Sequence, residues 1–234
     1  MLRTMRPARL ARLALLASIA TSAAAPAARA QTEFRWERAL PAGTEVEIHN
    51  ISGNIVVRPS TNGKVKVVGI RRGGRDQDFL KADVQQTSHG VVVCVLYDAR
   101  DTSCTDRSSS SHTDRRNGNS GERSHIDFEI AIPTDLIVSA RAVSGNVSIS
   151  GAQGDVSATS VSGDIHLDHL RATSISARST SGDVDVRVDA LSGRGDLSFR
   201  TVSGDVTLEM PRQLDADLSM STVSGSMDSD YPIT

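Results

Sequence analysis

Aromatic residues make up only 3% of this 234-residue chain, too little material for a ring platform on which sugars could stack. No stretch beyond the N-terminus is long and apolar enough to span a bilayer. The nucleophile elbow G-x-S-x-G, the H-E-x-x-H zinc helix and a glycine-rich phosphate loop are all missing. The plentiful serine, aspartate and histidine therefore form no recognised catalytic or cofactor motif, and no cofactor is expected. An excess of positive charge is missing too. Without Arg3, Arg6, Arg9, Arg12 and Arg29, which all fall in segment 1–30, the chain keeps 21 of its 26 basic side chains against 28 acidic ones, a formal charge of −7. Nucleic acid binding asks for the opposite sign.

Segment 1–30 has a secretory layout: four spaced arginines, the short apolar run Leu13 to Ala20, and small residues ending Ala28-Arg29-Ala30. This pattern predicts a cleaved signal peptide over 1–30 and an exported protein that does not span the membrane after cleavage. No cysteine directly follows the cleavage point, which argues against a lipoprotein. In an oxidising compartment the two cysteines, Cys94 and Cys104, are expected to close a disulfide at the base of a hairpin.

What the chain has in abundance is repetition. The phrases VSGNV at 143–147, VSGDI at 161–165, TSGDV at 180–184, VSGDV at 202–206 and VSGSM at 223–227 carry Gly145, Gly163, Gly182, Gly204 and Gly225. Successive glycines stand 18, 19, 22 and 21 apart. A steady period of this size suits one coil of a β-solenoid. ISGNI at 51–55, with Gly53, is the same phrase ninety residues upstream, and AQGDV (152–156) and GRGDL (193–197) read as a second corner of the coil. The glycine supplies the positive φ of a type II turn, and the adjacent Asp or Asn bonds nearby amides. Between corners, runs such as Asp183-Val184-Asp185-Val186-Arg187-Val188 alternate with the period of a half-buried strand. Two interior columns are expected: Val143, Val161, Val202 and Val223, and Val147, Ile165, Val184, Val206 and Met227.

These features predict an all-β, single-stranded parallel β-helix-like solenoid. Residues 31–98 would hold an N-terminal cap, with Trp36 over the open end, and the first coils. Residues 99–125, rich in Ser, Arg, Asp and Asn, would form a disordered polar loop, and 126–234 the repeats.

The Phe34–Trp36 segment followed by Pro41-Ala42-Gly43, the HNISGNI stretch, the VVVCVLY segment, the DFEIAIP strand and the reiterated VSGDV corners together resemble the bacterial putative-adhesin family across residues 33–230. The resemblance implies a right-handed solenoid in the cell envelope. That family offers no catalytic residues to carry over.

Other constellations have plain structural readings. His166 and His169 are three apart, which on a regular strand means opposite faces, so a shared metal ion is not expected. His49, His89, His112 and His125 show no ligand spacing. The corner acids Asp155, Asp164, Asp183, Asp196 and Asp205 could line up for calcium, but the G-G-x-G-x-D pattern of calcium rolls is lacking. Arg194-Gly195-Asp196 falls within the corner series. Two functions are weighed: a non-enzymatic envelope module that binds an envelope protein or glycan, and a carbohydrate-active hydrolase or lyase using paired surface carboxylates.

Overall fold

The computed structural model describes residues 33–73, 80–97, 104, 124–211 and 216–229. The expected leader lies outside the described residues, as does the expected polar loop apart from Cys104, Ser124 and His125. All regular structure among the described residues is β. In chain order it comprises β1 (Glu33–Arg38), β2 (Glu45–Ser52), β3 (Ile55–Pro59), β4 (Val65–Arg72), β5 (Lys81–Gln86), β6 (Gly90–Leu96), β7 (His125–Ile132) and β8 (Ile137–Ser144). β9 (Val147–Ser150), β10 (Val156–Ser162), β11 (Ile165–Ser181), β12 (Val184–Arg200), β13 (Val206–Glu209), β14 (Ala216–Ser221) and β15 (Met227–Ser229) follow.

Two strands meeting at a glycine corner make one rung, and the rungs stack in parallel. One face runs β6, β2, β8, β10, the latter part of β11, the latter part of β12, and β14. The other runs β7, β3, β9, the start of β11, the start of β12, β13 and β15. β11 and β12 each pass through a second corner where the register shifts. There Ser174, Asp196 and Asp217 align, and Asp155 Oδ1 accepts the Ser174 amide at 2.9 Å.

Spatial order departs from chain order at one end. The first rung made, β2–β3, lies between β6–β7 and β8–β9. β4 and β5 then pair antiparallel to β7 and β6, and β1 pairs outside β4. Half-buried Phe34 and Trp36 of β1 pack on the core, so the Trp36 segment sits at this end as an edge strand.

At the main corner the geometry differs from the expected type II turn. Gly145, Gly163, Gly182, Gly204 and Gly225 have φ of 148°, 151°, 146°, 146° and 147°, far from the roughly +80° of that turn. The bonds of these corners run between rungs: Gly163 N–H donates to Ser181 O and Gly182 N–H to Ser203 O, both at 3.0 Å. Such a φ extends the chain in the mirror-image sense and keeps the backbone groups pointing along the stack.

Two side-chain ladders lock the corner. The amides of Asn54, Asn146, Asp164, Asp183, Asp205 and Ser226 each donate to an Asx oxygen one rung back: those of Asp127, Asn54, Asn146, Asp164, Asp183 and Asp205, at 2.6–3.0 Å. Inside, Ser160, Ser179, Thr201 and Thr222 donate to the carbonyls of Gly145, Gly163, Gly182 and Gly204. Ala142 occupies the equivalent place in β8 and has no hydroxyl. Asn50 Nδ2 serves the Gly53 carbonyl instead, at 3.0 Å.

Of the two expected interior columns, Val147, Ile165, Val184 and Val206 are fully buried. The other expectation is overturned: Val143, Val161, Val202 and Val223 face solvent, at 46%, 45%, 44% and 80% exposure. Alternation decides it. Val138, Ala140 and Ala142 face inward, which leaves Val143 outside, and in the later rungs the inward place beside the corner goes to Ser160, Ser179, Thr201 or Thr222. Met227 is 47% exposed, and among the described residues a rung covers it on one side only.

The stacking can be tested at three residues. Val184→Asp buries an unpaired charge in the filled column and is expected to cost at least about 3 kcal/mol, read as loss of the cooperative melt by circular dichroism. In Gly182→Ala the added Cβ falls well inside van der Waals contact distance of the Gly163 carbonyl oxygen, whereas Gly43, also at positive φ (72°), has open space around it. Gly182→Ala is expected to lower Tm clearly more than Gly43→Ala. Hydrogen bonds from Ser226, its backbone amide foremost, lower the Asp205 pKa below its ordinary 3.8. A depressed carboxyl stabilises the fold above that value and loses this contribution as pH falls through the folded pKa. Asp205→Asn keeps the acceptor and loses the charge, so its melting temperature should depend less steeply on pH below about 4 than that of the unaltered protein.

Candidate functional site

Three surface features carry chemistry. The first is the outer edge of the corner. Successive corners lie in register through Ser52, Ser144, Ser162, Ser181, Ser203 and Ser224, so the residues just before them line up as well: Ile51, Val143, Val161, Thr180, Val202 and Val223. With strands about 4.8 Å apart, these side chains form a nearly continuous apolar ridge, bordered by the Asx ladder. The repeated VSG phrase marks where this ridge lies, but not which side its valines take, because the phrase is nearly symmetric about its glycine.

The second is a charged strip on the outer face of β11, β12 and β13. His166 Nδ1 lies 3.1 Å from Asp185 Oδ2. His169 Nδ1 is 3.1 Å from both Asp189 carboxylate oxygens, and its Nε2 is 3.6 Å from Asp168. Arg187 Nε bonds Glu209 Oε2 at 2.7 Å, and Arg187 Nη1 reaches Asp168 at 3.5 Å. The bond to Glu209 raises the Arg187 pKa, and the same bond lowers that of Glu209.

The expectation that His166 and His169 occupy opposite faces is corrected here. His169 adopts φ 54°, and the register shifts between Leu167 and Leu170. Leu167 and Leu170 are therefore both buried, and both histidines turn outward. Each faces its own carboxylate. Among the described residues no three of His, Cys, Asp and Glu gather to hold a metal ion. The corner acids Asp164, Asp183 and Asp205 do stack, but each spends a carboxylate oxygen on a backbone amide, which relieves their mutual repulsion without a cation. Arg194, beside Gly195 and Asp196, lies 3.4 Å from Asp217 on the exposed surface.

A smaller charged group sits on β2 and β8, where Glu47 contacts both Arg141 and His49. Burial alone would raise the Glu47 pKa. The hydrogen bond and charge of His49, with those of Arg141, outweigh burial, and the net shift is downward.

The third feature is an interrupted corner in the outermost rung. Three residues beyond the His49–Cys94 register pair, Tyr97 takes the place of Ser52. Ile126 and Asp127 take those of Gly53 and Asn54, since Ile55 pairs Phe128. Residues 98–125 are thus inserted where the other rungs turn in a few residues, a placement the sequence did not disclose. A disulfide joins Cys94 to Cys104 and so ties the inserted segment to β6. Val92, Cys94, Leu96 and Cys104 form a small apolar cluster apart from the main core.

Asn50 Nδ2 donates to Ile126 O at 2.8 Å, and Arg71 is the cross-strand partner of Ile126. The buried Asn50 Oδ1, Arg71 Nε and Tyr97 hydroxyl have no hydrogen-bond partner among the described residues. Burial pushes the Tyr97 phenol up to about 12, countered in part by the nearby backbone of Ser52 and Ile51.

Among solved structures, the chain is similar to one described as a putative cell adhesion protein from Clostridium sporogenes, at 5% identity and TM-score 0.47 over 83% of this chain and 97% of that one. It is also similar to one described as a putative adhesin from Bacteroides fragilis, at 15% identity and TM-score 0.31 over 83% and 96%. No curated protein matches the chain in sequence. The Toastrack DUF4097 family profile matches residues 43–187 and again 137–234, the second match opening at β8 and covering the reiterated corners. The stacked β rungs and this coverage of nearly the whole rung region make the chain a member of the Toastrack DUF4097 family.

Proposed function

We propose that this chain is a non-enzymatic, adhesin-like binding module of the cell envelope, exported through a leader over 1–30 and folded as a right-handed coil. Its partner is an envelope protein or glycan, and nucleic acid is disfavoured by the charge of −7 that remains without the leader's arginines. The observation that carries the reading is the ridge of Val143, Val161, Val202 and Val223. Four β-branched side chains held near half exposure or above are not needed for the core, yet the repeat places them in line along the stack. A row of this kind, bordered by the carboxylates of Asp164, Asp183 and Asp205, suits a partner that offers apolar side chains to the row and donors to the acids.

A carbohydrate-active enzyme would need a carboxyl held protonated near neutral pH. The shifted carboxyls among the described residues, Glu47, Asp205 and Glu209, all move downward and stay ionised, which favours the binding module.

A pull-down from envelope extract tests the reading, comparing the purified protein with a Val161→Lys/Val202→Lys variant. These solvent-facing changes are expected to alter stability by no more than about 0.5 kcal/mol, and the captured partner is expected to be lost. A partner retained by the variant would place binding elsewhere on the molecule. Recovery of no partner by the unaltered protein under several conditions would remove the proposal.

A further inference from the structure

The sheet face formed by β8, β10, the latter part of β11 and the latter part of β12 carries two outward rows of side chains beside the valine ridge. In the nearer row Arg141, Thr159, Arg178 and Arg200 stand in register. Each lies between two buried, inward-facing neighbours: Ala140 and Ala142, Ala158 and Ser160, Ala177 and Ser179, Phe199 and Thr201. In the farther row Ser157, Ser176 and Ser198 are likewise in register. Both rows recur at the strand spacing of about 4.8 Å.

Arg178 and Arg200 are direct cross-strand partners, an arrangement of like charges that works against strand pairing. Among the described residues neither guanidinium has a carboxylate or any other hydrogen-bond partner. Arg141, by contrast, contacts Glu47, and on the other sheet face Arg187 is held by Glu209 and Asp168. The acid of β12 that shares the outward side with Arg200 is Asp196, four residues away along the strand and so about 13 Å distant. The hydroxyls divide in a similar way. Those of Ser160, Ser179 and Thr201 point inward and donate to glycine carbonyls. Those of Ser157, Ser176 and Ser198 point outward and have no partner among the described residues. Unpaired positive charge and free hydroxyls are thus concentrated on one flat face of a chain whose formal charge is negative.

We propose that this face is a binding surface for an acidic glycan, with sugar carboxylates on Arg178 and Arg200 and sugar hydroxyls on Thr159 and the serine row. The planar fork of arginine matches a carboxylate bidentately, and the serine and threonine hydroxyls both donate and accept. The pitch favours a uronate polymer over an acidic protein segment. The rows recur once per strand, comparable to the advance of one ring along an extended polysaccharide, whereas carboxylates on one side of an extended peptide lie about 6.7 Å apart. The two rows hold no aromatic side chain on which a neutral sugar could stack, so charge makes the selection. The arginine row is distinct from the valine ridge, and the inference does not depend on what the ridge binds.

Isothermal titration of the purified protein with oligogalacturonate at low salt is expected to show binding that weakens as salt rises, and none with neutral dextran. Arg178→Gln/Arg200→Gln is expected to weaken that binding at least about tenfold without lowering the melting temperature, because it removes a like-charge contact. Arg200→Gln alone is expected to weaken binding more than Arg58→Gln, an equal change of charge at an exposed arginine of β3 on the other sheet face. The proposal is overturned if the unaltered protein does not bind oligogalacturonate, if the double variant binds it as tightly, or if Arg58→Gln weakens binding as much as Arg200→Gln. Polyglutamate bound as tightly as oligogalacturonate also overturns it, since that would assign the face to an acidic protein segment. The pull-down with Val161→Lys/Val202→Lys reads the ridge and these titrations read the arginines, so either can fail without the other.

Discussion

The structure depends on how closely one rung's backbone approaches the next at the glycine corner. The place a Cβ would occupy on Gly163, Gly182, Gly204 or Gly225 is already taken by the carbonyl of the preceding corner glycine. This contact fixes the register of the whole stack, because strands leave the corner in both directions and a slip of one residue would turn every side chain to the wrong face. With register fixed, Val147, Ile165, Val184 and Val206 fall into one filled column. The Asx oxygens meet the amides of the next rung, and the inner hydroxyls reach the glycine carbonyls. These hydrogen bonds satisfy a corner that would otherwise leave buried backbone groups unpaired, which costs more than a single made bond returns.

The same register organises the exterior. Whatever one rung places outward recurs a strand spacing away in the next, so single exposed residues become rows. Valine just before the corner becomes a ridge, and alternating charge on β11, β12 and β13 becomes a strip of ion pairs through Asp168, Arg187 and Glu209. Exposed pairs of this kind contribute little to stability. Their effect is to fix the electrostatic pattern of a surface that the core does not constrain.

The outermost rung tolerates the insertion because its corner lies at the end of the stack. Replacing the glycine place with Ile126 is possible where the close approach comes from one side only. Asp127 still starts the Asx ladder, accepting the Asn54 amide at 2.8 Å while also bonding Arg72. One buried polar atom each of Asn50, Arg71 and Tyr97 lies near this altered corner with no hydrogen-bond partner among the described residues, although Asn50 Nδ2 and an Arg71 Nη donate elsewhere.

By itself the sequence determined the all-β character, the position of every corner glycine, the second corner and the column that starts at Val147. Each of these follows from local backbone preference and period-two alternation. The tertiary structure alone decided which face the valines of the VSG phrase occupy, because the phrase is nearly symmetric about its glycine and parity must be counted through a corner whose φ the letters do not specify. It alone placed the β2–β3 rung between its neighbours, since chain order does not say on which side a later rung will dock. It also turned His166 and His169 to one face, through a bulge that local periodicity could not announce. In each case the deciding contact lies between residues of different rungs, about twenty to ninety positions apart, and stacking energy rather than local propensity made the choice.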